Sequence, residues 1–417
     1  MARRADRDLR DFLLSISRLR RGESEPLSDQ ISVSLSAIEP PQPDSGAALS
    51  VAGVDPEHNF AGGETQVLGL TLELLHAGHR AELICDPAGR LYERARRRGV
   101  VCHPLRIRNS VDLAAAIRFR AILRSGRYDI VHFHTARAHA MAPYARGFAR
   151  GLIVTRRMDY RPNRIFAPIL FGRAVDAIAA ISLGVADSLA TAGVARERVA
   201  IIRSGVDCRR FRPAESATRA AARAALSIDT GALVLGSVGM LEPRKGHRYL
   251  LEAVARLSRG ELGAEVVCVI AGDGSLRSEL HKIADTLGIA HQVRFVGRVD
   301  DVRTVLAATD IFVFPSLHEG LGVAALEAAA SGLPAVASDA GGIGEVIEPG
   351  VTGILVPPGD SEALAGAIGS LAAQPALRAA MGQAARIRAE REFAMTTMAA
   401  RTVELYRACL AARGRKN

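Results

Sequence analysis

The sequence of 417 residues contains no tryptophan, and aromatic residues make up only 4% of it. This scarcity argues against a sandwich of β-sheets with an aromatic core and favours closely packed layers of helices and sheets. The five cysteines form no C-x-x-C pair, which favours reduced thiols in a cytoplasmic protein. No apolar run approaches the ~20 residues of a membrane-spanning helix, and the first residues lack the apolar core of a signal peptide.

Motifs of several enzyme classes are missing as well. No strand is followed by G-x-G-x-x-G with an acidic residue at the distance expected of a dinucleotide-binding domain, which argues against a dehydrogenase. Neither an S-x-x-K nor a G-x-S-x-G nucleophile motif is present. No D-x-D element stands in a strand–loop context, so the sequence offers no typical metal–diphosphate site.

Acidic residues are too few to balance the basic ones, and the formal net charge at pH 7 is +10. Such an excess is typical of proteins that bind nucleic acid, an anionic membrane face or phosphate-bearing substrates. The sequence shows neither a basic patch interleaved with aromatics nor zinc-finger spacing. We therefore expect no nucleic-acid partner, and the other two possibilities remain open.

Residues 1–46 form a basic extension that differs from the rest of the chain. Between Ala2 and Arg21, arginines surround apolar residues that are spaced as on one face of a short helix. A basic amphipathic helix is suited to the surface of an anionic membrane, and a poorly ordered leader is the simpler interpretation. The stretch from Glu39 to Gly46 has the proline-rich composition of a linker.

From residue 47 onward, short apolar strands alternate with helical segments, a pattern that predicts parallel sheets covered by helices on both faces. A charged, alanine-rich connection at 211–231 separates two such series. The sequence therefore predicts an α/β fold of two facing, doubly wound Rossmann-like domains, residues 47–215 and 216–392. Ligands of such folds bind in the crevice at the carboxyl ends of the strands.

The most informative stretch runs from Phe312 to Ala330. An apolar strand at 311–314 is followed by the loop Ser316–Gly322 and by a helix rich in alanine at 323–330. Glycines let a ligand approach the backbone, and the free N–H groups in the first turn of a helix attract anions. Glu319 and Glu327 bracket this loop and suit a ligand with hydroxyl groups on both sides of a phosphate. An ordinary strand–loop–helix unit with a solvated Glu327 is the alternative.

Two further loops between a strand and a helix carry candidate residues. Gly62 and Gly63 follow the first strand and allow a ligand to approach the backbone, unless they form a plain turn. Lys245 can neutralise a pyrophosphate that gains charge as a bond to it breaks. Its neighbour Arg244 is either a second phosphate ligand or a solvated residue that caps a helix.

His132 and His134 alternate with Phe133 at the end of a predicted strand, so both imidazoles should lie on one face of it. A metal pair is one alternative, but no cysteine or carboxylate stands nearby at ligand spacing. A histidine at a strand end is more often structural. An imidazole in this place can also donate a hydrogen bond to a sugar or a phosphate.

The pattern E-G-x-G-x-x-x-x-E at 319–327, followed by A-x-G-x-P-x-x-A-S at 330–338, resembles the donor-binding motif of the family-4 retaining glycosyltransferases. These enzymes have the GT-B fold of two facing Rossmann-like domains, and the resemblance covers most of the chain from about Leu49. It implies a nucleotide-diphosphate sugar as the donor substrate, with no metal and no other cofactor. It also implies that a last helix, residues 393–412, crosses back onto the first domain.

The resemblance implies roles for the residues that match the family's motifs. Glu327 would hold the ribose hydroxyls, and Glu319 would bond the donor sugar. His134, supported by His132, would reach the reacting sugar, and Lys245 would stabilise the leaving pyrophosphate. The remaining groups that would line the substrate site are Gly62, Gly63, Arg244, Gly272, Gly274, Arg298, Gly320, Leu321 and Gly322.

One position departs from the family's pattern G-R-L-x-x-x-K-G. Met240 stands where relatives carry an arginine, and Arg244 is the candidate that would supply the missing guanidinium. Glu345, in the loop 340–345 after the central helix, is expected to support the structure.

The sequence thus predicts a retaining, metal-independent glycosyltransferase that acts in the synthesis of lipopolysaccharide, exopolysaccharide or another cell-envelope glycan. Arginines at 156–161 in the acceptor-facing domain suggest a glycan or lipid-linked acceptor, with peripheral contact to the anionic inner face of the membrane. Two alternatives remain. A hydrolysing epimerase of the same fold would consume the donor without an acceptor, and a non-catalytic membrane-associated scaffold would account for Met240.

Overall fold

The computed structural model describes residues 46–109, 112–158, 171, 174–260 and 265–414. The predicted amino-terminal helix and nearly all of the predicted linker lie outside these residues, as does part of the arginine-rich stretch at 156–161. Within the described ranges, no helix is both long enough and apolar enough to cross a membrane.

The first domain is built on a parallel sheet of seven described strands, ordered β3-β2-β1-β4-β5-β6-β7. The strands are β1 (Ser50–Asp55), β2 (Arg80–Cys85), β3 (Cys102–Pro104), β4 (Ile130–Phe133), β5 (Gly151–Arg156), β6 (Ala177–Ala180) and β7 (Val199–Ile201). Its described helices are α1 (Gly62–His76), α2 (Arg90–Arg97), α3 (Leu113–Gly126), α4 (Ala136–His139), α5 (Ala142–Ala145) and α6 (Leu183–Thr191). Apolar residues fill the space between this sheet and its helices.

The second domain repeats the arrangement with six described parallel strands, ordered β10-β9-β8-β11-β12-β13. The strands are β8 (Leu233–Val238), β9 (Val266–Ala271), β10 (Val293–Gly297), β11 (Ile311–Phe314), β12 (Ala335–Ser338) and β13 (Gly353–Val356). Its described helices are α7 (Ser216–Ala225), α8 (His247–Ser258), α9 (Arg277–Thr286), α10 (Arg303–Ala308), α11 (Val323–Ala330), α12 (Ile343–Val346), α13 (Ser361–Ala372) and α14 (Pro375–Glu392).

Both sheets are parallel and doubly wound, so the predicted fold class is confirmed. The strand order reverses between β1 and β4 in the first sheet and between β8 and β11 in the second. Loops that leave neighbouring strands at such a point diverge and open a crevice above the carboxyl ends of the strands. Several candidate residues follow these four strands, while Gly272, Gly274 and Arg298 follow the neighbouring strands β9 and β10.

The last helix, α15 (Met395–Gly414), packs on the first domain although it follows the second domain in the chain. The hydroxyl of its buried Tyr406 lies 2.7 Å from Nδ1 of His132. The chain returns beside the outward connection, where the amide of Val206 donates to the carbonyl of Phe393 at 2.7 Å. The amide of Met395 donates back to the carbonyl of Val206 at 3.0 Å, so the two crossings between the domains are held together.

Three segments differ from the sequence prediction. The stretch 211–231 is more than a connection, because α7 forms within it and its Arg223 bonds Asp310 at 2.7 Å. The prediction missed that this alanine-rich helix has a charged partner in Asp310, directly before β11. The predicted loop 340–345 runs into α12, and the short helices α4 and α5 were not predicted. Elsewhere from residue 47 onward, the predicted alternation of strands and helices is present in the described residues.

Candidate active site

The amino-terminal ends of α1 and α11 meet between the two domains. A Cβ atom on Gly62 would lie 3.4 Å from Cβ of Val323, the first residue of α11. Nearby, a Cβ atom on Gly320 would lie 2.3 Å from the carbonyl oxygen of Arg157, which follows β5. No side chain fits there, so only glycine allows this approach of the domains. Two helix amino termini with free N–H groups therefore face one cleft.

The loop before α11 presents its backbone to this cleft. Gly322 is the residue before the helix and has φ of 97°, a left-handed conformation that glycine adopts without strain. The side chain of Leu321 is buried in the apolar core of the second domain, so only its backbone groups can reach a ligand. The carbonyl of Glu319 accepts a hydrogen bond from the amide of Gly342 at 3.1 Å, which fixes the start of the loop.

Lys245 and Glu319, both predicted from the sequence as catalytic candidates, form an ion pair across the cleft side of the second domain. Nζ of Lys245 lies 2.5 Å from Oε2 of Glu319, and both side chains are nearly buried. The ammonium group also sits 5.0 Å from the centre of the Phe314 ring. Burial lowers the pKa of Lys245 from its ordinary value, and the neighbouring carboxylate opposes that effect. The pair places one cation and one anion beside the helix amino termini.

Arg244 lies next to this pair but is engaged elsewhere. Its Nε donates to Oε2 of Glu242 at 3.0 Å, and its carbonyl accepts the amide of Leu317 at 2.7 Å. Met240, at the position where the family resemblance implies an arginine, is exposed in the same loop. The backbone of Arg244 thus ties two loops of the second domain together, while its guanidinium is directed to its own loop.

The turn after β9 and the residue after β10 lie at the same edge of the second sheet. Gly272 and Gly274 pack directly on the backbone of the loop at 239–241, which leaves no space for side chains. Arg298, expected beside the nucleotide base, reaches across to the first domain, where its Nη2 donates to the carbonyl of Phe60 at 3.2 Å. Arg298 therefore joins the β10 loop to the loop that directly precedes Gly62 and Gly63 at the start of α1.

Glu327 projects from α11 in a partly buried position. Loss of hydration raises its pKa to about 7, an effect that nearby Arg210 opposes and Asp301 strengthens. Among the described residues no hydrogen bond to this carboxyl is formed, whereas Arg210 and Asp301 pair with each other at 3.4 Å. A carboxyl in this state can accept hydrogen bonds from ligand hydroxyls without breaking an existing pair.

The two histidines of β4 lie on one face, as their spacing predicts. Their rings are 4.1 Å apart, and both are buried. His132 is fully engaged, by the hydroxyl of Tyr406 and by Thr155 at 2.6 Å, whereas Nδ1 of His134 has no hydrogen-bond partner among the described residues. Burial holds the pKa of His134 well below its usual range, so this imidazole is neutral at pH 7.

Two residues of the cleft were not singled out from the sequence. Asp55 ends β1 and is only 1% exposed, and one of its carboxylate oxygens, Oδ2, has no partner among the described residues. Burial, followed by repulsion from Glu64, raises the pKa of Asp55 to about 7. Arg157 follows β5, and its Nε is likewise buried without a partner. The available signal was position, since both residues stand where a strand ends at the cleft.

Glu345 has a defined partner set that explains the expected supporting role. It accepts the amide of Leu183 at 2.6 Å and Nε of Arg203 at 2.9 Å, and both donors belong to the first domain. The carboxylate therefore bridges the domains on one side of the cleft. Glu64, at the start of α1, accepts the amide of Ala61 at 2.7 Å and so caps its own helix.

The donor set of the cleft contains anion-binding groups and single carboxylates. In the part of the chain that the structure describes, no group of three or more His, Cys, Asp or Glu side chains is arranged to hold a metal ion. The Lys245 ammonium, the Arg157 guanidinium and two helix amino termini instead suit a phosphate group.

Comparisons with known proteins agree with this geometry. A family model described as glycosyl transferases group 1 matches residues 218–388, and one described as Glycosyltransferase Family 4 matches residues 60–210. The chain is 34% identical over 320 residues to a D-inositol 3-phosphate glycosyltransferase of Streptomyces avermitilis, which covers 70% of this chain and 68% of the relative. It is 32% identical over 267 residues to the lipopolysaccharide core biosynthesis glycosyltransferase LpsE of Rhizobium meliloti, covering 64% and 72% of the two chains.

In several other D-inositol 3-phosphate glycosyltransferases the match spans about half of the relative's length. The crystal structure of HepE from Anabaena in complex with UDP and glucose has the same fold, with a TM-score of 0.77 at 22% identity. That similarity covers 86% of this chain and 99% of HepE. Family models, relatives and the two facing sheets lead to one conclusion: the chain belongs to glycosyltransferase family 4, within the glycosyl transferases group 1, and has the GT-B fold.

Proposed function

We propose that this protein transfers a sugar from a nucleotide-diphosphate donor to an acceptor hydroxyl with retention at the anomeric carbon. The observation that carries the proposal is the Lys245–Glu319 pair beside the converging amino termini of α1 and α11. Two phosphates of a donor fit this group of cations and N–H donors. The sugar would then lie toward His134, and the ribose toward Glu327.

Each chemical step can be assigned to groups of this chain. The bond between the anomeric carbon and the phosphate oxygen breaks, and Lys245 stabilises the charge that collects on the leaving diphosphate. The acceptor oxygen bonds to the same face of the anomeric carbon, and its proton passes to the leaving phosphate. Glu319 stabilises positive charge on the sugar, and the neutral imidazole of His134 orients a sugar hydroxyl. No step in this scheme requires a metal ion.

The experiment is a thermal-shift and saturation-transfer screen against UDP-, GDP- and ADP-sugars without metal, on wild type and Glu327→Ala. Selective stabilisation of wild type by one nucleotide, lost in the variant, is the expected result. Incubation of the selected donor with acceptor extract, followed by proton NMR of the product, then reports the anomeric configuration. Equal consumption of donor with and without acceptor would instead favour a hydrolysing epimerase, and no binding to any donor would favour a scaffold.

We propose that the acceptor is a lipid-linked glycan of the cell envelope, and that the first domain reaches it by peripheral contact with the inner face of the membrane. On α3, Leu113 and Ile117 are 66% and 71% exposed, and they lie one turn apart. Arg118, Arg120 and Arg124 are exposed on the same helix, which contains no acidic residue. Exposed aliphatic side chains surrounded by arginines suit the headgroup region of an anionic bilayer.

The position of α3 relates this surface to the cleft. Because α3 follows β3, its first turn lies at the edge of the first sheet where the strands end. Co-sedimentation with vesicles of phosphatidylglycerol and phosphatidylcholine, compared with phosphatidylcholine alone, tests the contact. We expect Ile117→Ser combined with Leu113→Ser to reduce binding to the anionic vesicles, while Val101→Ser, another exposed aliphatic position outside α3, leaves it unchanged. Equal binding by all three proteins would contradict the role of α3.

A further inference from the structure

The second-domain cations that were expected to hold a diphosphate already have acidic partners within the protein. Lys245 is paired with Glu319, and Arg244 with Glu242. The position that carries an arginine in the family motif holds Met240. The second-domain cation expected beside a doubly charged leaving group, Lys245, therefore already has an acidic partner.

Arg157, from the first domain, has the opposite character. Within the described ranges it forms no ion pair and no hydrogen bond through its side chain, and its Nε is buried. Burial is the main influence on the pKa of Arg157 and lowers it to about 10. The negative charges of Asp55 and Glu64 oppose part of this decrease, although neither of these described residues forms an ion pair with Arg157. A guanidinium withdrawn from water without a counterion is costly, and such a group is typical of a site that receives an anion.

Contacts fix where Arg157 lies. Its carbonyl oxygen packs against Gly320, in the loop that precedes α11. Its Cδ lies 3.7 Å from the position that a Cβ atom on Gly63 would take, in the first turn of α1. The residue therefore sits between the two converging helix amino termini. Asp55 and His134 interact with it electrostatically, and each has a buried polar atom that lacks a partner in the described structure.

We infer that Arg157, which belongs to the first domain, binds the sugar-linked phosphate of the donor. It takes the role of the second-domain arginine that the family resemblance implies at the position of Met240. This inference rests on the proposed function, because it assigns a residue to the same donor site. It differs from the expectation drawn from the sequence, in which Arg244 supplies the missing guanidinium. A cation from the first domain completes a site on the second domain only when both domains are in contact, as they are in this structure.

The test compares nucleoside diphosphate with nucleoside monophosphate, because only the diphosphate reaches Arg157. The pairs to be tested are UDP and UMP, GDP and GMP, and ADP and AMP. For the pair that binds the wild-type protein, calorimetric titration gives the ratio of the diphosphate affinity to the monophosphate affinity. We expect Arg157→Met to lower the preference for the diphosphate by about 10- to 100-fold, as for a lost charge-assisted hydrogen bond, with little change in the monophosphate affinity. Arg259→Met, at an exposed position beyond the far end of α8, is the matched control.

Further variants distinguish a phosphate ligand at Arg157 from a residue with a purely structural role. Met240→Arg in the Arg157→Met background should restore much of the diphosphate preference, since it returns a guanidinium to the second domain. Arg157→Lys should retain part of it. If Arg157→Met weakens both nucleotides equally, the residue is only structural, and if Arg244→Met alone abolishes the preference, the cation is Arg244. If wild type binds no nucleotide, the proposed function itself fails, so the two failures are distinguishable.

Discussion

Replacement of Asp55 by asparagine should stabilise the protein at alkaline pH and have a smaller effect at acidic pH. The carboxyl is only 1% exposed, and burial raises its pKa from 3.8 to about 7. Between these two pH values the folded state retains a proton that the unfolded state has released. The wild type therefore loses stability as the pH rises from about 4 to 7, whereas asparagine does not titrate.

The magnitude follows from the difference of about 3.2 pH units between the folded and unfolded pKa values. At about 1.36 kcal/mol per unit, ionisation of Asp55 lowers the free energy of unfolding by about 4 kcal/mol above pH 7. At pH 5 more than a third of that loss is already present, because the unfolded carboxyl is ionised there. The stability difference between Asp55→Asn and wild type should therefore increase by about 2 to 3 kcal/mol between pH 5 and pH 8.

Chemical denaturation of both proteins at pH 5 and pH 8 measures this change, and any effect of the substitution that does not depend on pH cancels. Asp112→Asn is the matched control. Asp112 caps α3 by accepting the amide of Ala115 at 3.0 Å, and this hydrogen bond lowers its pKa, so the carboxylate is ionised at both pH values. Its difference from wild type should be the same at both pH values. An Asp55→Asn difference that is also independent of pH would show that Asp55 is ionised with an ordinary pKa, and the desolvation argument would fail.

Three further outcomes are expected of the donor site. Because the pKa of Glu327 is raised to about 7, affinity for the nucleoside diphosphate should increase several-fold between pH 6 and pH 8, and calorimetry on Glu327→Gln should show weaker binding without this increase. Gly320→Ala would place a Cβ atom 2.3 Å from the carbonyl oxygen of Arg157, so the transfer rate should fall by about 100-fold. Gly366→Ala, where a Cβ atom meets nothing within 4 Å, should keep the wild-type rate. Glu345→Ala removes the acceptor that bridges the domains and should increase the radius of gyration in small-angle scattering; an unchanged value would contradict the bridging role.

Local signals were sufficient for the central unit of the second domain. The predicted strand at 311–314 and the predicted helix at 323–330 coincide with β11 and α11. Pro315 ends the strand, Gly322 permits the left-handed turn before the helix, and an alanine-rich run has no competing conformation. Where neighbouring residues decide the conformation, the sequence is enough to predict it.

Pairings across long separations were not predictable in this way. Lys245 and Glu319 were each assigned to the substrate, yet they lie 74 residues apart and bond each other. Whether a charged residue meets a ligand or a neighbour depends on loops that converge only in the folded chain. Arg157 was one of several arginines in a basic stretch, and the stretch by itself did not indicate that this residue would follow β5 with a buried Nε.

The charged groups of the cleft fall into two classes, and the division bears on function. Lys245 and the bridging Glu345 are neutralised by protein partners, so they stabilise the loops whether or not a ligand is bound. Asp55, Arg157 and Glu327 have no ion-pair partner among the described residues, and burial shifts the pKa of each toward its neutral form. Such groups lower the stability of the protein alone, and a ligand that supplies their partners recovers that loss as binding free energy. Because these groups come from both domains, a ligand that satisfies all of them must bind between the domains and hold them together.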